Sequence, residues 1–210
     1  MYTLQRAFGS TTLVAAVIAT IVAPSTRADD DHRHGNAVRF ATQLSSFNEV
    51  HFIAGNAAAS PVVAPALRGA ISSGATGGFK ASIDDGARQI SYELTYSGLE
   101  SPVTQAHIHF GQRHTVGGIV VWLCQTTGTP APAAVASVTP SCPTAGTVTG
   151  TIGPNQVLTV TGQGINAGEY DKLVAAIRAG VTYANVHTQV NAPGEIRGQI
   201  GHRHGGHDRD

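Results

Sequence analysis

The chain is short of charge, sulfur and long apolar runs. Only 12% of its 210 residues are Asp, Glu, Lys or Arg, and acids and bases balance at 13 each. No basic field is therefore present to attract nucleic acid. The single methionine is Met1. No Gly-x-Ser-x-Gly segment exists, which removes the nucleophile elbow of a serine hydrolase. The longest apolar stretch, Leu13 to Ala23, is too short to cross a bilayer. It has no cysteine just behind it, so a lipid anchor has no acceptor.

That stretch reads instead as an export signal. Arg6 supplies the cationic start, Leu13 to Ala23 the apolar region, and Thr26-Arg27-Ala28 a small-x-small cleavage pattern. Residues 1–28 are expected to be removed, leaving a chain that begins at Asp29. An uncleaved N-terminal anchor is the alternative, and an intact Met1 on the mature protein would reveal it. Loss of Arg6 and Arg27 leaves slightly more acids than bases. The expected compartment is secreted or periplasmic, with no membrane span after cleavage. The two cysteines, Cys124 and Cys142, read as a disulfide in an exported chain, the alternative being two unrelated thiols.

What remains is rich in Gly, Ala, Thr and Val, which favours strands and turns, and is long enough for one domain with a full core. Polar, His-rich tails at 29–36 and 202–210 bracket it. Alternation predicts strands at Val38–Leu44, Phe79–Ile83, Ile90–Tyr96, Ile119–Cys124, Thr147–Ile152, Val157–Thr161, Val181–Thr188 and Glu195–Ile200. Asp84-Asp85-Gly86 is the turn of a hairpin. Tyr170, Leu173, Val174 and Ile177 form one stripe, so a short helix is expected over 167–179, stopped by Gly180. Residues 45–78 and 125–143 have no clear assignment.

The most informative feature is a phrase that occurs twice. Residues 103–109 read Val-Thr-Gln-Ala-His-Ile-His, and 181–187 read Val-Thr-Tyr-Ala-Asn-Val-His. On a strand, alternate side chains share a face, so His107 and His109 lie together, as do Tyr183, Asn185 and His187. Should the two strands be neighbours, His187 joins the first pair.

The stretches AHIHFG (106–111), GGIVVWLC (117–124), YANVHT (183–188) and PGEIRGQI (193–200), in this order, resemble the CHRD domain, named for its repeats in the extracellular antagonist chordin and found alone in secreted bacterial proteins. The resemblance covers roughly 37–201. It departs from the family pattern after Glu49-Val50, where His51-Phe52-Ile53 and a long Ala/Gly/Ser stretch replace prolines, and in the proline-rich insertion at 125–143. It implies an extracellular all-β domain without established catalytic activity, with an unknown extracellular protein or surface ligand as partner; it does not give the ligand. Together with the strand map it leads us to expect an antiparallel β-sandwich of Greek-key, immunoglobulin-like or Cu/Zn-superoxide-dismutase-like type.

Two readings of the histidines follow. In one, His107, Asn185 and His187 hydrogen-bond across adjacent strands, beside a structural ion pair between Glu195 and Arg197. In the other, His107, His109 and His187 bind Cu or Zn, with Glu195 or His114 as a fourth ligand. The His-x-His strand is also similar to the copper strand of Cu/Zn superoxide dismutases, though no second half of such a bimetallic site is visible. The resulting expectation is a non-enzymatic binding module; a metal-binding protein is the alternative, and dismutase-like redox chemistry a third reading. His51 and His114 are expected in solvated loops. The tail histidines His32, His34, His202, His204 and His207 read as a solubilising or loosely metal-binding composition.

Overall fold

In a computed structural model of the protein, residues 37–52 and 68–202 are described. The expected signal segment 1–28, the tail at 29–36 and residues 203–210 of the second tail lie outside them. The elements are β1 (Val38–Ser45), β2 (His51–Phe52), β3 (Arg68–Gly69), β4 (Thr76–Asp84), β5 (Gln89–Ser97), β6 (Val103–Phe110), β7 (Gly118–Gln125), α1 (Ala133–Ala136), β8 (Gly146–Ile152), α2 (Tyr170–Arg178), β9 (Thr182–Thr188), β10 (Ile196–Gln199) and β11 (Gly201–His202). The all-β expectation holds. The two separate sheets of a sandwich do not.

One antiparallel sheet runs in the order β7-β6-β9-β10-β1-β4-β5-β8, with β11 added against β1. It curls into a nearly closed barrel whose edge strands β7 and β8 approach each other. A buried phenol spans that gap: Tyr92 on β5 donates 2.7 Å to the carbonyl of Leu123 on β7. Burial raises the Tyr92 phenol pKa, consistent with its fixed role as a donor. That carbonyl lies at a bulge, because the β6–β7 register skips from Ala106↔Cys124 to His107↔Trp122.

Alternation builds the core. On β5, Ile90, Leu94 and Tyr96 are buried while Gln89, Ser91 and Ser97 are exposed. Across the hairpin Ile83 pairs with Ile90 and Phe79 with Leu94, so both strands turn the same apolar rows inward. Helix α2 buries Tyr170, Leu173, Val174, Ala176 and Ile177 on that core, each large aliphatic contributing about 1.5–3 kcal/mol. It starts at Tyr170 rather than 167, because Gly168 adopts φ +81° and Glu169 is the cap.

Other expectations need correction. Val157–Thr161 is not a strand: a 3-10 turn at Pro154–Gln156 precedes it, and Val160 forms an isolated bridge with Ile165. His202, assigned to the tail, pairs with Phe40 on β1 and packs its ring 4.5 Å from the Phe40 ring. The 125–143 insertion contains the single turn α1 and is tied to β7 at both ends. Cys124 and Cys142 form a disulfide. The Gln125 amide meanwhile donates to the carbonyls of Ala136 and Thr139, and its oxygen accepts from the Ala131 N–H.

Candidate metal centre

The second face of the sheet carries a polar cluster. On β6, Ala106 and Ile108 belong to the apolar core, so period two sends His107 and His109 to the opposite side. On β9, Ala184 and Val186 are in the core, sending Tyr183, Asn185 and His187 to that same opposite side. The strands are neighbours and antiparallel, with Gln105↔His187, His107↔Asn185 and His109↔Tyr183. His107 therefore faces Asn185 directly and His187 on the diagonal, within reach of long side chains.

The three histidines come together as the repeated phrase suggests. His107 Nδ1 lies 3.2 Å from His187 Nε2. The ring centroids of His107 are 5.4 Å from those of His109 and 4.8 Å from those of His187. One ligand nitrogen from each lies within 4.8 Å of the other two. Trp122 closes one side, edge-on to His107 at 4.4 Å. His107 is fully buried, and His109 and His187 are only 7% and 6% exposed.

Three segments cover this face, and each is pinned by residues of the site. The loop between β6 and β7 is held by Arg197, whose two terminal nitrogens donate to the carbonyls of Thr115 (2.7 Å) and Gln112 (3.0 Å). The same guanidinium lies 3.3 Å over the Tyr183 ring, and Tyr183 stacks on His109 at 4.8 Å. Gly117, at the end of that loop, receives the His109 Nδ1 proton on its carbonyl at 2.9 Å. The loop after β9 supplies the Ala192 carbonyl, 2.7 Å from His187 Nδ1. The third segment brings in Glu49 and His51. The Glu49 carboxylate accepts from the Val50 N–H at 3.0 Å and stands 3.5 Å from Asn185 Nδ2, and His51 Nε2 meets the Gly194 carbonyl at 2.5 Å.

Protonation follows from this geometry. A carbonyl only accepts, so His109 and His187 carry their protons on Nδ1 and direct Nε2 lone pairs into the cluster. Burial pulls His109 and His187 down to about 4. His107 falls well below the ordinary histidine value, through burial first and then its two imidazole neighbours. All three are neutral at pH 7, the form that ligates metals. His107 Nε2 and His109 Nε2 are buried without a hydrogen-bond partner, a situation that ordinarily costs about 1–3 kcal/mol each. Nδ1–H donated to a backbone carbonyl is also how metal-bound imidazoles are oriented.

Glu195 and His114 are not part of the cluster. Glu195 is fully buried, but its oxygens accept from Thr188 Oγ1 (2.8 Å) and the Glu100 N–H (3.0 Å). The expected Glu195–Arg197 ion pair is replaced by these contacts and by the carbonyl clamp of Arg197; the acid that acts electrostatically on Arg197 is Glu49. His114 is exposed, at φ 61° in the β6–β7 loop, as expected. His51 is not: it sits on β2 and is half-buried. Glu49, Tyr183 and Trp122 are the site residues that the sequence reading left without a role; Asn185 it read as a cross-strand hydrogen-bonding partner of the histidines.

The PGEIRGQI stretch acquires a physical meaning here. Gly194, at φ +133°, has space for no side chain, since a Cβ would lie 2.4 Å from the Glu49 carboxylate and 2.9 Å from Asn185 Nδ2. At Gly198 a Cβ would meet the Gln43 carbonyl at 2.3 Å. Ile196 points into the core, Arg197 holds the β6–β7 loop, and Gln199 donates to the carbonyls of Gly111 and Gly180.

A family comparison agrees with this architecture: the CHRD domain model matches residues 40–200, and the chain belongs to that family. No curated protein and no solved structure gives a match.

Proposed function

We propose that this CHRD domain is an exported, non-enzymatic binding module that holds one transition-metal ion, copper or zinc, through His107, His109 and His187. Family membership supports a binding or interaction role in general terms. The metal reading rests on one observation: three buried, neutral imidazoles converge within 4.8 Å, and His109 directs into the cluster an Nε2 that has no hydrogen-bond partner. The 3.2 Å between His107 Nδ1 and His187 Nε2 is close to the edge of a tetrahedron with metal–nitrogen bonds of about 2.0–2.1 Å. Imidazole nitrogens suit both metals.

Several features favour storage or structural use of the ion over turnover. Three segments and Trp122 cover the cluster, and His107 is fully buried. The disulfide and the absence, among the described residues, of a helix long and apolar enough to cross a membrane fit an exported protein; the expected signal segment completes that reading.

The test is metal analysis of protein made without an affinity tag, with His32, His34, His204 and His207 replaced by alanine so that the tails contribute nothing. One equivalent of copper or zinc is expected, lost in His109→Ala and in His187→Ala. No metal, even after loading and desalting, would return the cluster to purely structural hydrogen bonding. A superoxide assay on the copper-loaded protein should give no activity above free-ion controls.

A further inference from the structure

His187 has a neighbour that the hydrogen-bonding rules leave unexplained. Its Nδ1 proton is committed to the Ala192 carbonyl at 2.7 Å, so Nε2 has only a lone pair to offer. Yet the atom 3.1 Å from that Nε2, besides His107 Nδ1, is the side-chain oxygen of Asn185. With the amide in this orientation two acceptors are face to face in a buried site, a contact that a shared electrophile would make favourable. Asn185 is itself 2% exposed.

The other end of the amide explains why the oxygen points inward. Asn185 Nδ2 is directed at the Glu49 carboxylate, 3.5 Å away. Gly194 backs both groups so closely that any side chain there would displace them. A carboxylate behind an amide nitrogen fixes the orientation of the amide, as outer partners fix ligands in metal sites. Glu49 would also place a negative charge near an ion otherwise surrounded by neutral donors. Glu195, the other buried acid, is already committed to Thr188 and Glu100.

The repeated phrase leads to the same four residues. In the antiparallel register the fifth positions of the two copies, His107 and Asn185, face each other. The seventh positions, His109 and His187, lie on the same face of the sheet at either side of that pair. A local two-fold relation therefore gathers His107, Asn185, His109 and His187 around one point. His187 Nε2 stands 3.2 Å from one of the others and 3.1 Å from another, both near the edge length of a tetrahedral site.

We infer that Asn185 supplies the fourth ligand of the metal through its side-chain oxygen, completing a three-nitrogen, one-oxygen site, with Glu49 as the residue that positions the amide. This rests on the metal-binding reading above. It assigns the site to a four-coordinate divalent ion, for which the closed ligand set is the zinc-like arrangement.

The experiment uses the full-length chain with the four tail histidines replaced, loaded with Zn(II) for affinity by chelator competition and with Co(II) for its visible spectrum. Asn185→Ala should weaken zinc binding by at least about tenfold and alter the Co(II) bands. Asn185→Asp keeps an oxygen at the same place, and should bind at least as tightly as the parent. Glu49→Gln should weaken binding while leaving the Co(II) coordination spectrum four-coordinate. Equal loss in the alanine and aspartate variants would overturn the inference, because it would mean that Asn185 acts as an N–H donor toward His187, with its amide turned. An unchanged affinity and spectrum in Asn185→Ala would overturn it too, leaving a three-histidine site intact. Absence of metal from the parent would instead remove the metal reading, and the ligand assignment with it. Should the alanine variant fail to fold, the near-isosteric aspartate variant decides alone: retained binding supports a ligating oxygen, and abolished binding refutes it.

Discussion

Acid should unfold the metal-free protein unusually early, because its cluster is built from imidazoles that resist protonation. His109 and His187 titrate at about 4 when folded and near 6.5 when unfolded. Above pH 6.5 both states are neutral and nothing is gained or lost. Below it the unfolded chain takes up protons that the folded one refuses, so stability falls with pH until about pH 4, then levels. Each histidine removes about 2 kcal/mol between pH 7 and pH 5, or about 4 kcal/mol for the pair. His107 acts in the same direction. Glu49 acts in the opposite one: burial raises its folded value, so the folded state binds its proton first, and stability rises as pH falls through that value toward the unfolded one. A domain of this kind has about 5–15 kcal/mol in all, so the histidine contribution is a large fraction of it. Urea midpoints at pH 7, 6, 5 and 4, with chelator present, measure the effect. A double variant, His109→Gln with His187→Gln, should show a much flatter profile. A parent midpoint that does not move between pH 7 and pH 5, or a double variant with the parent's slope, would refute the neutral, buried assignment.

Three further outcomes are expected. Gly117→Ala places a Cβ 1.8 Å from the Phe110 carbonyl; it should cost about 1–3 kcal/mol in urea unfolding and, by shifting the carbonyl that holds His109 Nδ1, lower metal stoichiometry as well. Leu173→Ala should cost about 2–4 kcal/mol, since Leu173 is fully buried on the core, whereas Lys172→Ala, which loses only solvent-exposed contacts to Glu169 and to the Gly164 carbonyl, should cost less than about 0.5 kcal/mol. Cys124 and Cys142 should resist alkylation without reductant by intact mass. Reduction should then destabilise by about 3 kcal/mol for a loop of this length.

The parts of the fold that were legible from sequence are those decided locally. The β4–β5 hairpin is written in the alternation of Phe79, Ala81 and Ile83 against Ile90, Tyr92 and Leu94, because each strand has one wet and one dry face. Helix α2 is written in the spacing of Tyr170, Leu173, Val174 and Ile177. Alternation says that a strand has an inner face, but not whether the facing strands belong to a second sheet or to the same sheet curled round. That depends on pairings such as β1 with β10, whose members are far apart in sequence. Val157–Thr161 misled for a related reason. Val157 and Val160 are both buried, but three residues apart, a turn-like spacing; Thr159 Oγ1 is used as an acceptor for the Ala167 N–H, and the bond from the Leu158 N–H to the Val120 carbonyl of β7 is not continued into a ladder.

The candidate site divides in the same way. His107, His109 and His187 were readable because period two and the repeated phrase are local signals, and they needed only the adjacency of β6 and β9. Glu195 was misplaced: it precedes β10 and turns toward Thr188, whereas Arg197, on the strand itself, stays on the polar face. Glu49 could not be found this way, since 136 residues separate it from Asn185. Asn185 was within reach. It occupies the place in the second phrase that His107 holds in the first, and in an antiparallel pair equal fifth positions face each other across the ladder. A position that carries an imidazole in one copy and an amide in the other, on the face that also holds His109, His187 and Tyr183, can offer the same capacity in both: a lone pair for a common centre.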